Sequence, residues 1–224
     1  MKIEELCKLI DHTLLKPDAT KQDIKKHIDE TIQFGFWSCC INQCWVKFTA
    51  NELKGTGIKV CSISGFPLGT SITKAIEAEK CVNNGADEID MVMNIGFLKS
   101  GLYTEVENDI KEVVNAVKGT IVKVIIEAGL LSTEEKIKAT KIVFESGAGF
   151  VKTNTGFGYG GATVEDVKLL RNTVGQNFGV KASGGIRTLA QTIELINAGA
   201  SRIGTSASIK IINEYLKENR LKEE

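Results

Sequence analysis

One pattern recurs along these 224 residues: an amphipathic stretch stops at a glycine, and a short run rich in Val and Ile follows. The junctions are Phe34-Gly35-Phe36, Gly57-Ile58, Gly85-Ala86-Asp87, Gly147-Ala148-Gly149, Gly175 to Gly179, and Gly199-Ala200-Ser201. Glycine just past a helix adopts the left-handed conformation that ends it. The runs predicted as strands are Ile10–Leu14, Trp37–Asn42, Lys59–Ser64, Glu88–Asn94, Ile121–Glu127, Phe150–Asn154, Gly179–Ser183 and Arg202–Ser206. Strands alternating with helices predict a parallel sheet. About eight such units is the count of a TIM (β/α)8 barrel, with an extra first helix over Lys2–Leu9 closing its bottom. Barrels of this length form one domain, here residues 1–224. An open doubly wound sheet is the alternative, but it carries a Gly-rich turn after its first strand. Leu14-Leu15-Lys16-Pro17-Asp18 has no glycine.

Charge excludes some partners. Lys+Arg and Asp+Glu are both 28, so nothing overall calls for nucleic acid or an anionic membrane, and any anion affinity must be local. No apolar run approaches the roughly 20 residues of a membrane span. The opening Met1-Lys2-Ile3-Glu4-Glu5-Leu6-Cys7 lacks the apolar core of a signal peptide, so a cytoplasmic location is expected. A chain able to bury its own core has no need of a disulfide framework, and the six cysteines are expected to be structural thiols. Cys39 and Cys40 fall on opposite strand faces, and no C-x-x-C spacing marks a metal.

Catalytic residues of a TIM barrel sit at the C-terminal strand ends and in the following loops. In Glu88-Ile89-Asp90-Met91-Val92-Met93-Asn94, alternation sets Glu88, Asp90, Val92 and Asn94 on one face, with the apolar remainder packing on helices. Phe150, Lys152 and Asn154 share a face of the sixth strand, and Lys181 and Ser183 share a face of the seventh. One acid and two amines inside a barrel fit a Schiff-base site. An amine must be neutral to attack a carbonyl, and a second ammonium together with desolvation favours the neutral form. Asp90 is then placed to move protons. A buried ion pair is the competing explanation, but it leaves the second amine unpaired, which is costly.

Ser183-Gly184-Gly185-Ile186-Arg187-Thr188 and Gly204-Thr205-Ser206-Ala207 follow the last two strands, where TIM barrels build phosphate sites. Gly156 adds a third wall. Gly158-Tyr159-Gly160-Gly161 is expected to be a loop before a helix start at Thr163, not a nucleotide motif. Ser132-Thr133-Glu134-Glu135 resembles a capping box. The stretch 72–84 is expected to place Ile72, Ile76 and Cys81 near one helical face. Asp11 and Thr13 face inward, and His12 faces outward as a structural residue. His27 is expected to be solvated. With the histidines apart, neither a Ser-His-Asp triad nor a His-based metal site is expected.

These motifs, in order, resemble those of deoxyribose-phosphate aldolases of the short bacterial and archaeal type. They are Ile10–Pro17, Gly65-Phe66-Pro67-Leu68-Gly69, Asp87–Val92, Lys123–Glu127, Phe150–Thr153, Val180–Thr188 and Arg202–Ser206. The resemblance implies a class I aldolase without a metal or other cofactor. It would cleave 2-deoxy-D-ribose 5-phosphate reversibly to D-glyceraldehyde 3-phosphate and acetaldehyde in deoxyribonucleoside catabolism. By resemblance Lys152 is the Schiff-base lysine, Lys181 its neighbouring amine, and Asp90 the proton donor and acceptor. Asp11, Thr13, Cys40 and Thr153 would meet the substrate or support the network. Gly156, Gly184, Gly185, Gly204 and Ser206 would hold its phosphate. A homodimer is the family expectation. Three positions depart from the family pattern: Asn154 replaces Ser, Gln43 replaces Pro, and Ala207 replaces a second Ser. The alternatives are another sugar-phosphate barrel, an isomerase or transaldolase-like enzyme, or a non-catalytic sugar-phosphate-binding barrel.

Overall fold

The computed structural model describes residues 1–223. All eight expected runs are strands: β1 (Ile10–Leu14), β2 (Ser38–Ile41), β3 (Lys59–Ser64), β4 (Glu88–Val92), β5 (Ile121–Ile125), β6 (Phe150–Lys152), β7 (Gly179–Ser183) and β8 (Arg202–Thr205). They pair in chain order, every pair parallel, and β8 returns to β1 to close the barrel. Five end earlier than the sequence suggests, at Ile41, Val92, Ile125, Lys152 and Thr205. Their last residues run on into the loops at the C-terminal face, where Met93, Ile126 and Thr153 still donate to the neighbouring strand.

The intervening helices are α1 (Ile3–Cys7), α2 (Lys21–Phe34), α3 (Val46–Glu52), α4 (Lys74–Asn83), α5 (Ile95–Lys99), α6 (Tyr103–Ala116), α7 (Thr133–Glu145), α8 (Val164–Val174), α9 (Leu189–Asn197) and α10 (Ser208–Glu223). Local chemistry starts them. The Thr20, Ser132, Thr163 and Thr188 hydroxyls each accept an N–H of the first turn, a cap worth about 1 kcal/mol. Ser132 and Glu135 form the expected reciprocal box, the Ser132 N–H reaching Glu135 Oε2 at 2.8 Å. Gly35 stops α2 with φ 63° and returns its N–H to Ile32 O.

The period of two along the strands sorts two chemistries. Outward residues Ile89, Met91, Val122, Val124, Val151, Val180, Ala182 and Ile203 are buried against the helices, with Ile24, Ile28, Val106, Ile110, Val143, Val167 and Leu170 facing them. Each such side chain stabilises the fold by roughly 1.5–3 kcal/mol. α1 sits at the bottom beside β1 and β2, where Leu6 is buried and the Trp37 N–H donates to Cys7 O.

Two helical faces differ from expectation. α4 begins at Lys74 and buries Lys74, Ala78 and Cys81, leaving Ile72 98% and Ile76 64% exposed. Lys74 wins the inward face because its ammonium reaches Asp109 at 2.5 Å. On α2, His27 is 5% exposed, not solvated. Its ring stacks on His12 with centroids 3.8 Å apart, and Nε2 donates to His12 O at 3.0 Å.

Candidate active site

Strand pairing brings the inward residues together. Asp90 lies beside Lys123 across β4–β5, and Lys152 beside Lys181 across β6–β7. Lys152 Nζ donates to Asp90 Oδ2 at 2.8 Å, and Lys181 Nζ donates to the same oxygen at 2.6 Å. Lys181 also meets Asp11 Oδ2 at 2.5 Å. Below, Lys123 reaches Asp90 Oδ1 and Glu88 Oε2, both at 2.7 Å. Arg202 reaches Asp11 Oδ1 at 2.9 Å and Glu88 Oε2 at 3.3 Å, with its guanidinium over Trp37 and Phe150. Ser38 Oγ and Trp37 Nε1 donate to Asp11 and Glu88.

These neighbours set the charges. Burial alone would raise the Asp90 carboxyl, but Lys123, Lys152 and Lys181 together hold it well below the ordinary carboxylate range. Asp11 likewise stays low against burial, through Lys181, Lys123 and Arg202. Burial disfavours the Lys181 ammonium, yet Asp11 and Asp90 outweigh it and push its pKa up. Four basic side chains thus face three carboxylates in one buried cluster.

Above the cluster opens a cavity of about 250 Å³. Lys152 is the member of the cluster that lines it, with Thr13, Thr155, Gly156, Gly184, Gly185, Arg187, Gly204 and Ser206 around the mouth. At Gly204 a side chain has no room: a Cβ would lie 2.9 Å from Lys181 Cε and 3.0 Å from Ser183 Cβ. That glycine makes the path for the Lys181 chain.

The whole arrangement has relatives. The model of the DeoC/LacD family of aldolases matches residues 6–212. The chain belongs to the DeoC/LacD aldolase family. A deoxyribose-phosphate aldolase of Caldanaerobacter subterraneus is 57% identical over 218 residues, covering 95% of this chain and 94% of the relative. One from Clostridium kluyveri is 56% identical over 217 residues, covering 96% of this chain and 100% of the relative. A solved structure, a tetrameric deoxyribose phosphate aldolase from Aeropyrum pernix, superposes with a TM-score of 0.87 at 32% identity, covering 96% of this chain and 92% of that one.

Within this DeoC/LacD aldolase the residues singled out from sequence divide into groups. Asp90, Lys152, Lys181 and Asp11 converge in the cluster. Thr13, Gly156, Gly184, Gly185, Gly204 and Ser206 line the cavity. Cys40 is not among the residues lining the cavity; it is fully buried beside Cys61 and Asp90, and the Cys61 hydrogen bond lowers its thiol pKa. Thr153 corrects expectation. Its hydroxyl donates to Ser183 O and accepts the Ser183 N–H, both at 3.0 Å, so it straps β6 to β7 and is not among the residues lining the cavity. Asn154 is fully buried, with both side-chain amide atoms unpartnered.

Lys123, Glu88, Arg202 and Trp37 belong to the charge network without having been singled out as site residues. Lys16 and Arg187, which bring positive charge to the cavity mouth, were missed as well. Parity could have found Lys123, because Ile121, Lys123 and Ile125 share a face. Cys40, Cys61 and Asp90 lie close enough to suggest metal ligands, as do Asp11, Cys61 and Glu88. Lysine ammoniums and Arg202 already occupy those carboxylates. His12, His27 and Glu30 are also close, but both ring nitrogens of His12 are engaged, by Ser208 Oγ and Glu30 Oε2, and His27 Nε2 donates to His12 O.

Proposed function

We propose that this chain, as a single catalytic domain, cleaves 2-deoxy-D-ribose 5-phosphate reversibly to D-glyceraldehyde 3-phosphate and acetaldehyde through a Schiff base on Lys152. One observation carries the assignment of the nucleophile. The cluster holds one more basic group than acid, and Lys152 is the basic member that reaches the cavity. An amine attacks a carbonyl through its lone pair in the neutral form, and Lys181, held between Asp11 and Asp90, supplies the neighbouring positive charge.

The neutral Lys152 amine adds to C1 of the open-chain sugar, and loss of water gives an iminium. Removal of the C3 hydroxyl proton breaks the C2–C3 bond. D-Glyceraldehyde 3-phosphate leaves, and the electron pair passes into an enamine. Protonation at C2 and hydrolysis return Lys152 and acetaldehyde. Asp90 Oδ2, within reach of both Lys152 and Lys181, bridges the proton transfers. The iminium is the electron sink, so the chemistry asks for no metal. Arg187, Lys16, Gly184, Gly185, Gly204 and Ser206 receive the phosphate at the mouth. Names of relatives at 54–57% identity support the substrate.

No described helix is long and apolar enough to cross a membrane, which fits a cytoplasmic catabolic enzyme. We propose a homodimer as the working assembly; the solved relative from Aeropyrum pernix is a tetramer. Borohydride reduction in the presence of acetaldehyde, followed by peptide mass analysis, tests the nucleophile. The expected result is one ethyl adduct, on Lys152, and none in Lys152→Leu. An adduct on another lysine, or none while the substrate binds, ends this assignment.

A further inference from the structure

Just past β5 stands a residue the steps above do not use. Glu127 is the one non-glycine residue with positive φ among the described residues, at φ 48° and ψ 63°. A side chain with no special tolerance for the left-handed region is held there against its preference. The twist also changes register. The Ile126 N–H donates to Lys152 O, but the Ala128 N–H donates to Thr153 O, where an undisturbed ladder would reach residue 154. The extra residue acts as a bulge beside Lys152, and bulges re-aim a side chain.

The re-aimed carboxylate is 2% exposed, and its Oε1 has no hydrogen-bond partner. Its Oε2 accepts the Thr155 N–H at 3.2 Å and the Thr155 hydroxyl at 2.5 Å. The Thr155 hydroxyl in turn accepts the Phe157 N–H at 3.1 Å. Two of the three N–H groups of this turn are thereby engaged, leaving that of Gly156, at φ 83°. Thr155, Gly156 and Phe157 all line the cavity. The loop after β5 that holds Glu127 also carries Gly129, where an added Cβ would lie 1.6 Å from Tyr159 O, so the loops after β5 and β6 are built against each other.

We propose that Glu127 is a positioning residue for phosphate recognition. By holding Thr155 it fixes the Thr155–Phe157 turn so that the Gly156 N–H faces the phosphate of the substrate. This rests on the aldolase activity proposed above. A left-handed position with a half-satisfied buried carboxylate is an arrangement that stability alone would remove, since Asn or Gly fits the backbone better.

The experiment compares Glu127→Asn and Glu127→Gln with the native chain, on 2-deoxyribose 5-phosphate and on unphosphorylated 2-deoxyribose. Asn accepts the backbone conformation but is one methylene too short to reach Thr155. Gln keeps the reach and an acceptor oxygen. For Glu127→Asn, KM for the phosphorylated sugar should rise at least tenfold, while kcat/KM for the unphosphorylated sugar changes less than threefold and the melting temperature does not fall. Glu127→Gln should keep KM within about threefold of native. Thr155→Val, which removes the hydroxyl at constant volume, should reproduce the Asn pattern. If both substrates suffer equally, or if KM for the phosphorylated sugar is unchanged in Glu127→Asn, the proposal is overturned. Borohydride trapping of the native chain separates the two levels. No adduct on Lys152 removes the aldolase activity and this proposal with it. A normal adduct without the substrate split removes this proposal alone.

Discussion

The inward and outward faces of β4 and β5 are one residue step apart. Inward stand Glu88, Asp90 and Lys123; outward stand Ile89, Met91, Val122 and Val124. Both sets are almost entirely shielded from water, so burial does not distinguish them. Partnership does. The outer set needs only close packing against helices, and its stabilisation scales with area. The inner set must match every charge with another, and a buried ion cluster returns little net stability for its desolvation. Mechanical strength therefore belongs to the ring between strands and helices, and reactivity to the axis.

Substitutions on the axis should break this division most severely. Lys181→Leu should lower kcat/KM by at least a thousandfold. It should also destabilise the fold by about 3–5 kcal/mol, because Asp11 and Asp90 lose a charged partner they both contact. For a chain this size that is roughly 10 °C in melting temperature. Lys152→Leu should abolish turnover with little loss of melting temperature, since Asp90 keeps Lys123 and Lys181. Calorimetry on the pair separates the two roles, and an equal thermal loss in both would show that neither lysine is in excess.

On the ring the pattern should reverse. Met91→Ala removes a fully buried outward side chain and should cost about 2–5 kcal/mol in denaturant titration. Its kcat per folded molecule should stay within twofold. A large fall in kcat would mean that packing outside the barrel reaches the cluster.

The most gradual effect comes from a polar interruption of the ring, the stacked His12 and His27. Burial pushes His12 down to about 3, and burial with the neighbouring His12 does the same to His27. Their imidazoles stay neutral in the fold while the unfolded chain takes up protons below about pH 6.5. Stability should hold above that pH and be lost as pH falls towards 3, by at most roughly 1.4 kcal/mol per histidine per unit. His27→Leu should flatten the slope between pH 6 and 4, as read by urea midpoints; an unaltered slope would assign the acid sensitivity elsewhere.

These contrasts mark how far residues alone can speak. Glycine stops and Val-Ile runs located every strand, because helix termination and period-two burial are local. Asp90, Lys152 and Lys181 stood out because charge is rare inside apolar runs. Lys123 sits in the same kind of run, but its role depends on β4–β5 register, which no local pattern states. His27 looked solvated because its neighbours on α2 are polar; what buries it is His12, 15 residues earlier on another element. Glu127 gave no signal at all, since a left-handed backbone at a glutamate is imposed by the loop around it. Thr153 stood beside Lys152 in the motif, yet alternation sends its hydroxyl to β7.

The closing pair of strands joins the two ends of this sequence: Asp11 on β1 and Arg202 on β8 are 191 residues apart and share an ion pair. Such distant partners meet late in folding. Until β8 docks, Asp11 and Glu88 lack their guanidinium and Lys181 lacks the space beside Gly204. A refolding chain should therefore recover far-ultraviolet ellipticity before it recovers turnover, and the lag between the two signals times the closing of the ring.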